Sequence, residues 1–111
     1  MATRCHTIIK KGEDKAYVYR HFDGYPEETG NDLKTFMNIS KGSFNEWSVN
    51  DFATYLGKYN DAYEFENYGI HGDEDYIYFI DMDKKTLECY EVLDEPSEVK
   101  ENMDFVFKEK F

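Results

Sequence analysis

The stretch Tyr19-Arg20-His21-Phe22-Asp23-Gly24-Tyr25-Pro26 decides how the chain is organised, because one strand ends in it and a helix follows it. Asp23-Gly24 is a turn signal, since Gly24 can adopt a positive φ and the Asp23 carboxylate can accept hydrogen bonds from nearby backbone N–H groups. Pro26 suits the first turn of a helix, where its missing N–H costs nothing. The chain is therefore predicted to leave a strand at Arg20, to turn, and to enter a helix near Glu27. Gly30 and Asn31 weaken the start of this helix, so its regular part is expected to begin near Asn31 or Asp32.

Two runs of residues before this turn predict a β-hairpin. In Arg4–Lys10, alternate residues point to opposite faces, as they do in a strand. Ala16–Arg20 is rich in the aromatic and β-branched residues that favour strands. The connection between the two runs is short and polar, which predicts antiparallel pairing. This pairing is expected to bring Arg4 near the level of Arg20, at one end of the sheet.

Two helices are predicted in the middle of the chain. Leu33, Phe36 and Met37 follow the i, i+3, i+4 spacing of a stripe that faces a core. Ser48 precedes the clearest helical segment, and Asp51 follows three residues later, in a near relative of the capping box.

The second half of the chain is predicted to be β structure. Tyr63–Glu66 alternates apolar and acidic residues, as a half-exposed strand does. Tyr76–Ile80 is apolar on both faces and should lie at the centre of the sheet, with Thr86–Val92 returning beside it. The alternating segment Met103–Phe107 favours a terminal strand.

These elements predict an α+β fold in one domain, residues 1–111, with the order β-β-α-α-β-β-β. Hairpins joined by short turns indicate an antiparallel sheet. Two consecutive helices indicate that both helices pack on one face of that sheet.

Composition and charge limit the classes of function. Of the 111 residues, 41% are hydrophobic and 18% are aromatic, which is enough for a core and argues against disorder. The net charge of −11 disfavours direct binding to nucleic acid, which requires a positive surface. Basic proteins are possible partners, and simple solubility is the plainer explanation of the negative charge.

The two cysteines are expected to be buried free thiols. The sequence shows no signal peptide or membrane span, so a cytoplasmic protein is expected.

The known catalytic and metal-binding motifs do not occur in the sequence. No Cys-His set has zinc spacing, and the acidic clusters at 73–75 and 81–83 lack the spacing of an EF-hand loop. A Gly-x-Ser-x-Gly nucleophile elbow and a glycine-rich phosphate loop are also missing. We therefore expect no catalytic residues, no metal and no cofactor, and hence no enzyme.

One cluster of residues remains as a candidate ligand site: Arg4, Arg20, His21, Asp23 and Tyr25. Arginine offers a rigid fork of donors for phosphate or carboxylate groups, and tyrosine can stack on a base. A cluster of this kind fits a nucleotide-like ligand better than a hydrolytic reaction. The structural alternative is that Asp23 pairs with Arg20 or His21 and braces the turn.

The segments Thr3-Arg4-Cys5 and Tyr19–Glu27 together resemble a family of small phage and prophage proteins. Its members carry an RC pair near the N-terminus and a YRH-(F/W)-DGYP segment. The later Glu74–Tyr78 segment resembles a second recurring strand of the family. The resemblance implies a phage origin and the cytoplasm of the host cell as location. Small accessory phage proteins often counter host defence.

Two main functional hypotheses follow from these observations. The first is a non-enzymatic counter-defence protein that binds and sequesters a nucleotide-type immune signal through the arginine–aromatic cluster. The second is an acidic mimic of nucleic acid that inhibits a basic host defence nuclease, such as a CRISPR effector. A small enzyme or a housekeeping phage factor is a third alternative. No membrane partner is expected, and a homo-oligomer stays open.

Overall fold

The predicted hairpin forms the start of the sheet in the computed structural model, which describes residues 2–66 and 69–111. β1 (Cys5–Lys11) and β2 (Asp14–Arg20) pair antiparallel. A two-residue turn joins them, and Gly12 in this turn has a φ of 59°, which glycine adopts without steric cost.

Four more strands complete a six-stranded sheet: β3 (Glu64–Glu66), β4 (Tyr76–Asp81), β5 (Thr86–Glu91) and β6 (Asp104–Lys110). The strand order is β3-β2-β1-β4-β5-β6, so β4 has the central position that its two apolar faces predict. β6 is the terminal strand that the alternation in Met103–Phe107 favours, and it adds one strand to the order β-β-α-α-β-β-β. It forms one edge of the sheet, and a bulge at Val106 interrupts its pairing with β5.

The prediction of a purely antiparallel sheet is wrong, because β1 and β4 run parallel. Cys5 lies opposite Tyr76, and Lys10 lies opposite Asp81. A parallel pair requires a long crossover between its strands. Here the crossover consists of β2, both helices and β3, and it returns the chain to the sheet in the same direction as β1. The remaining strand pairs are antiparallel.

The two helices begin where local sequence signals place them. A single wide helical turn, Pro26–Gly30, leads into α1 (Asn31–Ser40). α2 (Val49–Tyr59) begins with the capping box: the Ser48 hydroxyl accepts the Asp51 N–H at 3.1 Å, and the Asp51 carboxylate accepts the Ser48 N–H at 2.9 Å. Among the described residues, no helix combines the length and apolar character needed to cross a membrane.

The main core lies between these helices and one face of the sheet, which we call the helical face. Both helices and alternate residues of the central strands contribute to it, notably Cys5, Ile9, Val18, Leu33, Phe36, Met37, Phe52, Leu56, Tyr78 and Ile80. We call the opposite side the loop face. A smaller cluster there contains Ile8, Ile77, Tyr90 and Met103, and Ile70 and Val92 from the connections pack against it.

The Asp23-Gly24 turn differs from its prediction. The positive φ, 55°, is at Asp23 and not at Gly24, and aspartate is among the few residues that tolerate this conformation. Gly24 is instead required by close packing, because a Cβ there would lie 2.9 Å from the carbonyl carbon of Arg4. Its N–H donates to the Thr3 carbonyl at 2.9 Å, and its carbonyl accepts the Tyr78 hydroxyl at 2.8 Å. Hydrogen bonds thus connect the turn to the residues before β1 and to β4.

Replacing Gly24 with alanine is expected to destabilise the protein by about 1–3 kcal/mol, the usual cost of adding a methyl group to a closely packed site. The neighbouring atoms belong to the backbone and to the buried Cys5, so they cannot easily move away. Gly42→Ala is the matched control, since its added Cβ would meet nothing within 4 Å. Urea unfolding measures both variants, and equal stabilities would contradict this account of Gly24.

Candidate functional site

The sheet separates the two arginines of the predicted ligand cluster. Cys5 lies opposite Arg20 in the hairpin, so the Arg20 side chain points to the helical face together with Cys5. Side chains alternate along a strand, and Arg4 therefore points to the loop face. The two residues are at the same end of the sheet, as predicted, but on opposite sides of it.

Arg20 is buried and is held by several neighbours. Its Nε donates to the Phe22 carbonyl at 2.9 Å, and its Nη1 lies 3.7 Å from the Asp32 carboxylate. The guanidinium also lies 5.5 and 5.1 Å from the ring centres of Phe22 and Tyr63. Within the described residues, Nη1 makes no hydrogen bond. The groove beside Arg20 has a volume of about 320 Å³ and contains the carboxylates of Glu27, Glu28 and Asp32, so an anion would be repelled there.

The other four residues of the predicted ligand cluster do not line the groove beside Arg20. Arg4 Nε lies 3.4 Å from Asp73, and His21 Nε2 lies 2.8 Å from Glu64, both at partly exposed positions. Asp23 makes no ion pair in the part of the chain that the structure describes, so the expected brace to Arg20 or His21 is missing. Tyr25 is half-buried next to the turn. The five residues therefore do not line one pocket.

Positively charged side chains line a different cleft, which lies on the loop face. It has a volume of about 350 Å³, and Ile8 and Phe79 supply apolar parts of its lining. Five of its lining residues are lysines: Lys10, Lys15, Lys84, Lys100 and Lys108. We call it the lysine cleft. Such a concentration is notable in a chain with only 13 lysine and arginine residues and a net charge of −11.

The three carboxylates that line the lysine cleft already have partners. Glu98 accepts from Lys15 at 3.1 Å, and Glu88 accepts from Lys100 at 2.8 Å. Asp81 accepts two backbone N–H groups of the following turn at 3.0 Å each. The other lysines, Lys10, Lys84 and Lys108, are exposed and form no direct ion pair with a described residue, although Lys108 lies opposite Glu88 across β5 and β6. Three ammonium groups are thus available to an anion.

A second polar cluster lies on the loop face at the other end of β1, around the fully buried His6. Its Nδ1 lies 2.8 Å from Glu74 Oε2, while its Nε2 lies 4.0 Å from Glu66 Oε1. The same Glu66 oxygen lies 2.7 Å from Nε2 of His71. His6, Glu66 and His71 bring their ligand atoms within 4.8 Å of one another, so they are the described residues that could hold a metal ion.

Glu74 anchors this second cluster. Burial alone would raise the pKa of its carboxyl, but hydrogen bonds from His6 and from the backbone N–H groups of His71 and Gly72 lower the pKa to about 2. Both backbone bonds are 2.8 Å long. The acidic loop 73–75 is therefore a structural anchor, since Asp75 accepts the Arg4 N–H and Asp73 accepts the Tyr19 hydroxyl.

Sequence reasoning missed both of these clusters for the same reason. His6 and His71 are far apart in the chain, and their proximity follows from the pairing of β1 with β4, which no local pattern reveals. The sequence did contain one signal for these clusters. His6, Ile8 and Lys10 are alternate residues of β1, so their side chains lie on the same face of the strand.

Comparison of the chain with protein-family models, with curated proteins and with solved structures gave no match. The resemblance of its RC and YRHFDGYP segments to a phage family thus remains a prediction from those residues alone.

The lowered pKa of Glu74 predicts an acid-sensitive fold. A carboxyl whose pKa falls from about 4.5 to about 2 on folding stabilises the protein above pH 4.5. This contribution is lost as the pH falls from about 4.5 through about 2. Glu74→Gln should flatten the pH dependence of the free energy of unfolding in this range, as measured by urea unfolding in EDTA. Glu64→Gln is the control at an exposed carboxylate, and an equal flattening by it would contradict the role of Glu74.

Proposed function

We propose that this protein is a non-enzymatic binding protein that sequesters a nucleotide-type anion in the lysine cleft. The observation that supports this proposal is the set of three lysines, Lys10, Lys84 and Lys108, that line one cleft without ion-pair partners among the described residues. The candidate site moves from the arginine cluster to the opposite end of the sheet, but the class of ligand is the same.

The electrostatics of the surface favour an anion at this cleft. Lysines without partners repel one another, and a phosphate group relieves this repulsion while accepting their N–H bonds. The acidic remainder of the surface repels anions, so the lysine cleft is the favoured position for them. The groove beside Arg20 has the opposite balance, with three carboxylates around one arginine.

The size of the cleft agrees with a small ligand. Pockets for small molecules usually measure about 300–1,000 Å³, and the lysine cleft has a volume of about 350 Å³. Phe79 and Ile8 offer apolar contact for a base or a sugar. The resemblance to small phage proteins adds the biological context, in which such binding would remove a nucleotide signal of host immunity.

Removing two of the lysines without partners is expected to weaken nucleotide binding strongly. Each charge-assisted bond to phosphate contributes about 1.5–3 kcal/mol, so Lys84→Gln with Lys108→Gln should lower the affinity at least about tenfold per lysine. The fold should keep its stability, since neither side chain makes an ion pair with a described residue. Cyclic dinucleotides and ADP-ribose-type compounds, tested by thermal shift and calorimetry, are the probes.

Lys41→Gln with Lys58→Gln is the matched control, because it removes the same charge from the ends of the two helices. If both double variants lost the same nucleotide affinity, the loss would be an effect of net charge, and a specific cleft would be contradicted. A wild-type protein that binds none of these nucleotides would overturn the proposal. Arg20→Ala, in contrast, should lower the melting temperature and leave the affinity of the cleft unchanged.

The second candidate function, an acidic inhibitor of a basic defence protein, is favoured by one observation. The groove between the start of α1 and the end of α2 contains Glu27, Glu28 and Asp32, and the first two are exposed. A lysine or arginine side chain of a partner would complement this groove better than a phosphate would. In the acidic loop 73–75, Glu74 is buried against His6, so reversing charge there would disturb the fold and would not isolate this role.

Reversing charge at Glu27 and Glu28 is expected to separate the two functions. Glu27→Lys with Glu28→Lys should reduce the association rate with a basic partner and should leave nucleotide binding unchanged. Glu13→Lys with Glu46→Lys makes the same change in net charge at exposed positions outside the groove. Counter-defence activity that both double variants retain would remove the support for an acidic inhibitor.

A further inference from the structure

We propose that His6, Glu66 and His71 form a binding site for a first-row divalent transition metal such as Zn²⁺, with Glu74 as the carboxylate that orients His6. This site lies at the opposite end of β1 from the lysine cleft, so it is independent of the proposed nucleotide binding. His6 and Lys10 are four residues apart, a separation of roughly 13 Å along a strand.

The bonding of His6 carries the proposal. The Glu74 carboxylate accepts a hydrogen bond from Nδ1 of His6, so in the neutral ring Nε2 presents its lone pair. This Nε2 is buried and has no hydrogen-bond partner among the described residues. A buried acceptor without a partner costs free energy, and a metal ion would relieve that cost. Carboxylate–histidine–metal chains of this kind fix the imidazole in metalloproteins.

The distances between the ligand atoms fit a metal ion after small shifts. Bonds of about 2.0–2.1 Å in a tetrahedral zinc site place the ligand atoms roughly 3.3 Å apart. Glu66 Oε1 lies 4.0 Å from Nε2 of His6 and 2.7 Å from Nε2 of His71. On metal binding the first distance must shorten and the second must lengthen. A metal ion would replace the direct contact between Glu66 and Nε2 of His71.

Charge and packing also favour a cation at this position. Glu66 and Glu74 bring two carboxylates to the histidine pair, within a chain that is acidic throughout. The ring of His71 stacks on Tyr19 with centres 3.8 Å apart and planes at 12°, and His6 packs edge-on against Tyr17. These contacts hold the two imidazoles in place before a metal arrives, which lowers the cost of binding.

The ligand set determines the class of metal and its remaining position. Two imidazoles and one carboxylate suit Zn²⁺, Co²⁺ and Fe²⁺ better than Mg²⁺ or Ca²⁺, which prefer oxygen ligands. The side chains of Glu66 and His71 are 16% and 24% exposed, so solvent reaches two of the three ligand residues. Three protein ligands with one open position are typical of zinc sites that bind or activate a ligand, rather than of purely structural sites.

This inference departs from the sequence-based expectation of no metal. That expectation relied on short spacings between ligands, whereas here the ligands come from β1, from β3 and from the segment before β4. Only the tertiary fold brings them together.

Cobalt binding tests the site directly. The full chain is stripped with EDTA, dialysed and titrated with Co²⁺, whose visible d–d absorption reports coordination by histidine. We expect one Co²⁺ per chain, displaced by Zn²⁺. Glu74→Gln should weaken binding about 10- to 100-fold, the usual effect of losing an orienting carboxylate. Glu66→Gln and His71→Gln should weaken it further.

The surface pair His21 and Glu64 supplies matched controls, since it has the same chemistry and the same 2.8 Å contact without a buried histidine. His21→Gln and Glu64→Gln should bind Co²⁺ like the wild type. Circular dichroism checks whether Glu66→Gln and His71→Gln, which alter partly exposed residues, remain folded. The absence of stoichiometric Co²⁺ binding would overturn the proposal. Equal weakening by His21→Gln and His71→Gln would overturn it as well.

Discussion

The insertion of β1 between β2 and β4 is the constraint on which the rest of the structure depends. β1 bonds antiparallel to β2 on one side and parallel to β4 on the other, so it has no free edge. Its residues alternate between the core under the helices and the loop face. Along the loop face they are His6, Ile8 and Lys10, which belong in turn to the histidine cluster, the smaller core and the lysine cleft. One strand thus positions both candidate sites.

The local parts of this fold could be predicted from the sequence because local signals determine them. The hairpin follows from alternation and a short turn, and α2 follows from the Ser48–Asp51 capping box. The parallel pairing of β1 with β4 could not be predicted in this way. Strand periodicity tells which residues share a face, but it does not tell which strand is the neighbour or in which direction it runs. The short connections suggested hairpins, and the one long crossover broke that pattern.

The candidate site was harder to predict than the fold. Arg4 and Arg20 were correctly placed at one end of the sheet, but the direct pairing of Cys5 with Arg20 sends their side chains to opposite faces. Two residues at the same end of a sheet therefore need not line the same pocket. The YRHFDGYP segment has a structural role instead, since Asp23 takes the left-handed conformation and Gly24 packs on β1. The residues with available charge, such as Lys84 and Lys108, come from separate turns and strands.

The two edges of the sheet have a consequence for how the protein behaves at high concentration. One edge is β3, of which the structure describes three residues, and two of these, Glu64 and Glu66, are acidic. The other is β6, whose bulge at Val106 twists it and whose last three residues, Lys108–Lys110, are all charged. Bulged and charged edges resist the addition of strands from other molecules, which is the first step of fibrous aggregation. The proposed sequestration of a target in equal amounts requires a high concentration of the protein, and edges of this kind oppose aggregation at such a concentration.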